Sequence, residues 1–128
     1  MNKTESSLCS YCKQFDETIP HLFYECHKTK SLWNELKSAF LNLSFPNLTL
    51  RSAFLGFYHL NDALVNQIHL IFRISLYSQR ENGFCNIDYL RVRIKSIREI
   101  EESLTFLSPH ASSFNIRKWA RVGGVQRG

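Results

Sequence analysis

Three of the four cysteines in this chain fall within 18 positions, and with one histidine they read Cys9-x2-Cys12-x8-His21-x4-Cys26. No other feature restricts the fold as tightly. A Cys-x2-Cys pair can hold two adjacent corners of a tetrahedral ion from one tight turn, while the second pair has to come from a separate stretch that folds back onto it. Soft thiolates with one imidazole are the donor set of closed zinc sites, so Cys9, Cys12, His21 and Cys26 are expected to hold one Zn2+ ion. His21 and Cys26 stand about 140° apart round an ideal helix, so an undistorted helix cannot aim both at one ion. The chain is therefore expected to leave the helix, or loosen it, at Cys26. His27 is the rival for the fourth position, with the Cys26 thiolate preferred.

Other chemistries of clustered cysteines fit less well. No strand-like segment precedes Cys9, as a thioredoxin-like redox motif requires. A zinc deaminase needs His-x-Glu ahead of Pro-Cys-x2-Cys, and here the order is reversed and that Glu is missing. With four protein ligands no corner is left for a reactive water, so the metal is expected to be structural and the chain to have no catalytic residues. The staple matters energetically. Zinc binding in finger peptides is worth about 10–16 kcal/mol, against a whole-domain stability of about 5–15 kcal/mol.

A length of 128 residues suits one domain, and a hydrophobic share of 44% promises a buried core. Five Gly and three Pro argue against a turn-rich β-sandwich. Thr18 is a cap candidate for a first helix with Pro20 in its first turn, running through Leu22 and Phe23. Thr29 or Ser31 then caps a helix in which Leu32, Trp33, Leu36 and Phe40 recur at helical spacing, stopping by about Leu43. Residues 48–60 read as a short helix between Thr49 and Phe57. Asn61 or Asp62 opens a long helix with Leu64, Val65, Ile68, Ile71, Phe72, Ser75 and Leu76 on one stripe, ended by Asn82-Gly83. Asp88 opens another, with Leu90, Ile94, Ile97, Leu104 and Leu107 on one side, ended by Ser108-Pro109. The short link between these two helices predicts antiparallel packing. The expected architecture is mainly α: a zinc module over 1–28, a bundle of about four helices over 29–108 packed on it as one domain, and a partly mobile tail over 109–128, which Trp119 docks onto the bundle.

No run approaches 18 apolar residues, so no membrane partner is expected. The polar stretch before Cys9 leaves no room for a signal peptide, and an intracellular setting, cytoplasmic or nuclear, follows as the expectation. In that reducing setting clustered cysteines read as metal ligands before disulfides.

The net charge of +5 is unevenly spread. Residues 1–38 carry five Lys and five acids, whereas residues 39–128 carry eleven basic residues, nine of them Arg, against six acids. Arg is the bidentate, stacking cation suited to phosphate and RNA. Arg91, Arg93, Lys95 and Arg98 crowd the last long helix, and Arg73 and Arg80 can extend the band. The same residues read equally as a solvated face with an Arg98–Glu102 pair at i,i+4 spacing. Tyr11 and Phe15 flank the zinc loop, where they either stack on bases or cover the metal. His69 shares the apolar stripe of its helix and reads as a packed side chain. Cys85 reads as a small residue beside a turn.

The block Cys9-Ser10-Tyr11-Cys12, Glu17-Thr18-Ile19-Pro20-His21-Leu22-Phe23-Tyr24-Glu25-Cys26 and Leu32-Trp33 resembles the reverse-transcriptase zinc-binding domain, found near the C-terminus of the polyprotein of LINE-type (non-LTR) retrotransposons. Leu55-Gly56, the run from Asn66 to Arg73, the run from Tyr77 to Asn82, Ile94-Lys95 and Lys118-Trp119 extend the likeness over residues 7 to 121. The resemblance implies a zinc-binding segment that helps the element's enzyme hold template RNA or target DNA, with the family's ligands falling on Cys9, Cys12, His21 and Cys26. No paired-Asp polymerase motif occurs, and the endonuclease and polymerase domains are missing, so the expectation is a separately encoded fragment without polymerase activity. Three functions follow as expectations: an RNA- or DNA-binding accessory module, an adaptor that docks onto a protein such as a reverse-transcriptase polypeptide, and a remnant whose zinc is purely structural.

Overall fold

In the computed structural model, the described residues are 7–57, 60–104 and 118–120. They are mainly helical. A π-turn over His21–Glu25 precedes helix α1 (His27–Ala39), α2 (Leu50–Leu55), α3 (Ala63–Gln79), a 3₁₀ turn (Arg80–Asn82) and α4 (Ile87–Leu104). The extended pairing among them is a single antiparallel bridge between Leu8 and Asp16. No helix of the described residues is long and apolar enough to cross a membrane.

Helix boundaries follow local chemistry. Thr18 Oγ1 accepts from the His21 N–H at 3.1 Å, as its side chain suggests. The α1 helix starts earlier than the Thr29 or Ser31 expectation. Cys26, in extended conformation, is its N-cap, and the Thr29 hydroxyl is buried and donates to the Leu22 carbonyl instead. A hydroxyl that satisfies a buried carbonyl seven residues back is worth more there than at an exposed helix end. Helix α1 ends at Ala39, within the expected limit of about Leu43. Thr49 and Ser52 form a reciprocal capping box that starts α2, and Asp62 Oδ1 accepts from the Val65 N–H to start α3. Asn86, not Asp88, caps α4, accepting from the Tyr89 N–H at 2.9 Å. Gly83 sits in the left-handed region at φ 68, where a Cβ would also meet the Ser10 carbonyl at 3.3 Å.

The main core collects Leu32, Trp33 and Leu36 of α1 and its C-cap Phe40 with Leu64, Val65, Ile68, Phe72 and Leu76 of α3 and Leu90 and Ile94 of α4. Trp33 is its aromatic centre, with ring centroids 5.4 Å from Phe45, 5.2 Å from His69 and 5.1 Å from Phe72. Edge and tilted pairs of this kind add about 0.5–1.5 kcal/mol each to simple burial. His69 is fully buried, and neither of its ring nitrogens has a hydrogen-bond partner among the described residues.

Helices α3 and α4 form the expected hairpin. Gln67, near the start of α3, donates to Glu101, near the end of α4, at 2.6 Å, which fixes the antiparallel sense. Glu101 also accepts from Lys118 Nζ at 2.6 Å and Trp119 Nε1 at 2.9 Å. Trp119 is thereby buried in the main core, as its docking role requires. Leu104, expected on the inner side, is half exposed. Leu107, the Ser108-Pro109 stop and the rest of the expected tail lie outside the described residues.

Candidate metal centre

Cys9 and Cys12 come from a tight loop closed by the Leu8–Asp16 bridge. The Cys9 N–H donates to the Phe15 carbonyl at 2.7 Å and the Lys13 N–H to the Cys9 carbonyl at 3.0 Å. Lys13 takes a positive φ of 61 to complete the turn. These bonds present both thiols on one side of the loop, as Cys-x2-Cys spacing permits.

His21 and Cys26 come from the second stretch, and the way they reach one point resolves the 140° problem. The Cys26 N–H bonds the His21 carbonyl at 2.8 Å, an i→i+5 closure wider than that of an α-helix. Cys26 then leaves the helical region altogether, at φ −64 and ψ 128. The helix loosens over His21–Glu25 and ends at Cys26, which is the distortion the spacing demands. His27 is exposed and stands apart from the cluster.

The four donor atoms lie within 4.8 Å of one another. Cys9 Sγ is 3.8 Å from Cys26 Sγ, and Cys12 Sγ is 3.2 Å from His21 Nε2. An ion at the centre of a tetrahedron with metal–sulfur distances of about 2.3 Å sets its sulfurs about 3.8 Å apart, so the donors are spaced to close on one ion with little movement. All four residues are buried, Cys9 and Cys26 completely. Three thiols and an imidazole packed together in an apolar pocket with Leu22 make a poor core by themselves and a good ligand set.

Electrostatics separates the thiols. Burial pushes the Cys9 thiol up to about 11, with the Cys26 sulfur adding to it. Burial also opposes ionisation of Cys12, but hydrogen bonds from the Gln14 N–H and His21 outweigh it and bring that thiol down to about 6. Cys12 is thus ready as a thiolate near neutral pH, while a cation entering the site has to displace the proton of Cys9. A thiolate beside an imidazole is also the pattern of a cysteine nucleophile. Here two further thiols surround the pair and all four residues are buried, which suits a held ion better than a substrate.

The site is wired to the bundle. Glu17 accepts from the Ser10 N–H at 2.7 Å and the Ser10 hydroxyl at 2.6 Å, and pairs with Arg80 at 3.3 Å. Burial works against the Glu17 charge, yet these bonds keep its carboxyl below the usual range. The Arg80 guanidinium lies 4.2 Å from the Tyr77 ring centroid. The Tyr11 hydroxyl donates to the Leu76 carbonyl, and burial drives the Tyr11 phenol well above its ordinary range. Tyr11 therefore packs between the metal pocket and the main core. Phe15 is the exposed aromatic, 60% accessible, with its ring 5.5 Å from that of His21.

The six basic residues expected along the helices separate into two groups. Arg73 donates to the Phe54 carbonyl and Arg80 is held by Glu17 and Tyr77, so both anchor neighbouring segments. Arg91, Arg93 and Lys95 are exposed on α4, and Arg98 pairs with Glu102 at 3.2 Å. At 3.6 residues per turn, Arg91, Lys95 and Arg98 share one flank of α4, with Arg93 across the exposed arc from them. Arg91 borders a cleft against α1 that Glu35 also lines. The anchors Glu17 and Asn66 were not visible in the sequence pattern. Asn66 accepts from the Phe57 N–H at 2.8 Å and donates to the Phe57 and Leu60 carbonyls at 3.2 Å each, and only a polar residue within an otherwise apolar helix hinted at it.

No protein-family model, curated protein or solved structure matches this chain.

Proposed function

We propose that this chain is a non-enzymatic accessory module, held together by one structural zinc ion, that binds nucleic acid with RNA preferred over DNA. The observation that carries the structural half is the closed set of Cys9, Cys12, His21 and Cys26, buried and within 4.8 Å of one another. Zinc suits this donor set best, because it accepts three thiolates and an imidazole without a redox role and without a preferred geometry other than the tetrahedral one. The resemblance to the zinc-binding segment of LINE-type reverse transcriptases supports placing the module beside a polymerase polypeptide that performs the chemistry elsewhere.

The binding half rests on α4. Arg91, Arg93 and Lys95 are exposed, in the part of the chain that carries the whole basic excess. Phosphate contacts need only mobile, solvent-facing cations, which these are and which Arg73 and Arg80 are not. Phe15, exposed beside the site, is the aromatic best placed to stack on a base.

Retention on single-stranded RNA across a salt series tests the reading. Affinity should fall with salt, and neutralising Arg91, Arg93 and Lys95 together should flatten the slope by about 2 for three lost phosphate contacts. Equal affinity and equal slope in the triple variant would remove α4 from the function. A second reading, docking onto a protein, is favoured by one specific observation, the apolar groove between the π-turn, α2 and α3.

A further inference from the structure

A groove of about 500 Å³ runs between the π-turn, α2 and α3. Phe23, Ala53 and Phe54 are the more buried part of its lining, and its rims carry Ile19, Leu70, Ile74 and Tyr77, which are 45–54% exposed. Leu70, Ile74 and Tyr77 stand at i, i+4 and i+7, so they form a straight apolar ridge about 10 Å long on the outer side of α3. The inner side of the same helix is already committed to the core through Ile68, Phe72 and Leu76. An amphipathic helix with one buried stripe does not need a second apolar row facing water, and contiguous exposed apolar surface of this kind marks interaction sites.

One cation breaks the apolar lining. Arg73 is half-buried, donates to the Phe54 carbonyl, and has its Nε buried without a partner. Among the described residues no carboxylate forms an ion pair with it, in contrast to Arg80, Arg98 and Lys118, each of which has one. A guanidinium presents five N–H donors in a fork matched to a carboxylate, so the groove lining carries one cation with no ion-pair partner among the described residues.

We propose that the groove is the docking site for an amphipathic helix of a partner protein, two to three turns long, whose apolar stripe lies against Leu70, Ile74 and Tyr77 and whose acidic side chain pairs with Arg73. A strand is a poorer occupant, because strand addition needs a free sheet edge and the described residues offer only the isolated Leu8–Asp16 bridge. The apolar ridge supplies affinity by burial, and the lone cation sets register and orientation, since a helix shifted by one turn leaves both charges unpaired. This inference goes beyond the nucleic-acid reading and stands on a different surface from the α4 cations. It deepens the adaptor reading by naming the chemistry of the partner.

The test is a displayed library of amphipathic helices about 14 residues long, selected on the full, zinc-loaded chain, with binders then synthesised and titrated. Expected binders carry apolar residues at i, i+4 and i+7 and an Asp or Glu facing between them. Leu70→Glu and Ile74→Glu, at exposed positions outside the core, should each weaken binding at least about tenfold, with circular dichroism showing that the variants remain folded. Changing the peptide carboxylate to its amide should cost about tenfold against the natural chain and little against Arg73→Gln. Arg91→Gln with Lys95→Gln should leave peptide binding unchanged, so the failure of either reading is seen separately. Absence of binders, binders without an acid, a proline-rich probe that binds more tightly, a dimer that Ile74→Glu dissolves, or loss of RNA retention on Ile74→Glu would each overturn the proposal.

Discussion

The Tyr11 hydroxyl donates to the main-chain carbonyl of Leu76, so the loop carrying Cys9 and Cys12 is fastened to the C-terminal half of α3 across 65 positions of sequence. The Glu17–Arg80 pair and the Ser10 carbonyl packed against Gly83 lie at the same junction. Tyr11→Phe should therefore lower stability by about 1 kcal/mol, the usual net worth of one such bond. Metal content should stay at one ion per chain, because the phenol touches none of the four donors. Chemical denaturation beside metal analysis separates the two effects.

Removing the ion should do more. Cys12→Ser, or chelation of the natural protein, should release the stretch up to Cys26, since the small core there is Cys9, Cys12, Cys26 and Leu22, three thiols of the proposed ligand set with a single apolar side chain. Zinc binding in finger peptides contributes about 10–16 kcal/mol, so no other single feature of the stretch can compensate. Amide hydrogen exchange should show protection lost at residues 9–26 and weakened at the end of α3, with the α4 interior least changed. Full protection at residues 9–26 in a metal-free sample would contradict the assignment.

His69 makes stability pH-dependent independently of the ion. Burial, with the nearby Arg73 charge, depresses its imidazole to about 3, against about 6.5 in an unfolded chain. The unfolded state thus binds the proton first. The contribution is fully present above pH of about 6.5 and is lost progressively as pH falls towards 3, at up to about 1.4 kcal/mol per pH unit. His69→Phe should flatten this slope and be neutral or mildly stabilising near pH 7, because it removes two ring nitrogens that have no partner among the described residues and keeps the aromatic contacts to Trp33 and Phe72. An ion held by the Cys9, Cys12, His21 and Cys26 cluster would add its own pH dependence, so the readout is the difference between variant and natural protein at each pH.

Trp119 is 1% exposed and its indole N–H is satisfied by Glu101. Trp119→Ala should cost about 3–5 kcal/mol through the cavity it leaves. Trp119→Phe should cost less, leaving the loss of the Glu101 bond as the main term. Thermal melts of the two variants rank them.

The stripe of α3, the hairpin it makes with α4 and the grouping of Cys9, Cys12, His21 and Cys26 were legible because each follows from a local rule, a 3.6-residue period or a ligand spacing. Leu64, Val65, Ile68, Ile71, Phe72, Ser75 and Leu76 are all buried as that period requires. Caps were less legible wherever two candidates stand close together. Asn86 and Asp88 differ only in which one the turn presents to the Tyr89 N–H, and Thr29 was claimed by a carbonyl seven residues back. The roles of Arg73 and Arg80 were the least legible. An arginine on an exposed-looking helix position reads as a solvent cation until the chain brings Phe54 or Glu17 alongside, and those partners lie 19 and 63 positions away.

Cys26 is the last of the four clustered residues that could hold a metal ion and also the residue from which α1 springs. The heading of that helix, and hence the aim of Trp33 into the bundle, is referred to a residue whose N–H closes the π-turn on the His21 carbonyl and whose carbonyl accepts the first α1 bond, from the Lys30 N–H at 3.0 Å. Inserting or deleting one residue between His21 and Cys26 would swing a 13-residue rod about its own root. The interval therefore acts as a mechanical setting for the whole assembly, and length change there should be tolerated far less well than substitution of the exposed Glu25 within it.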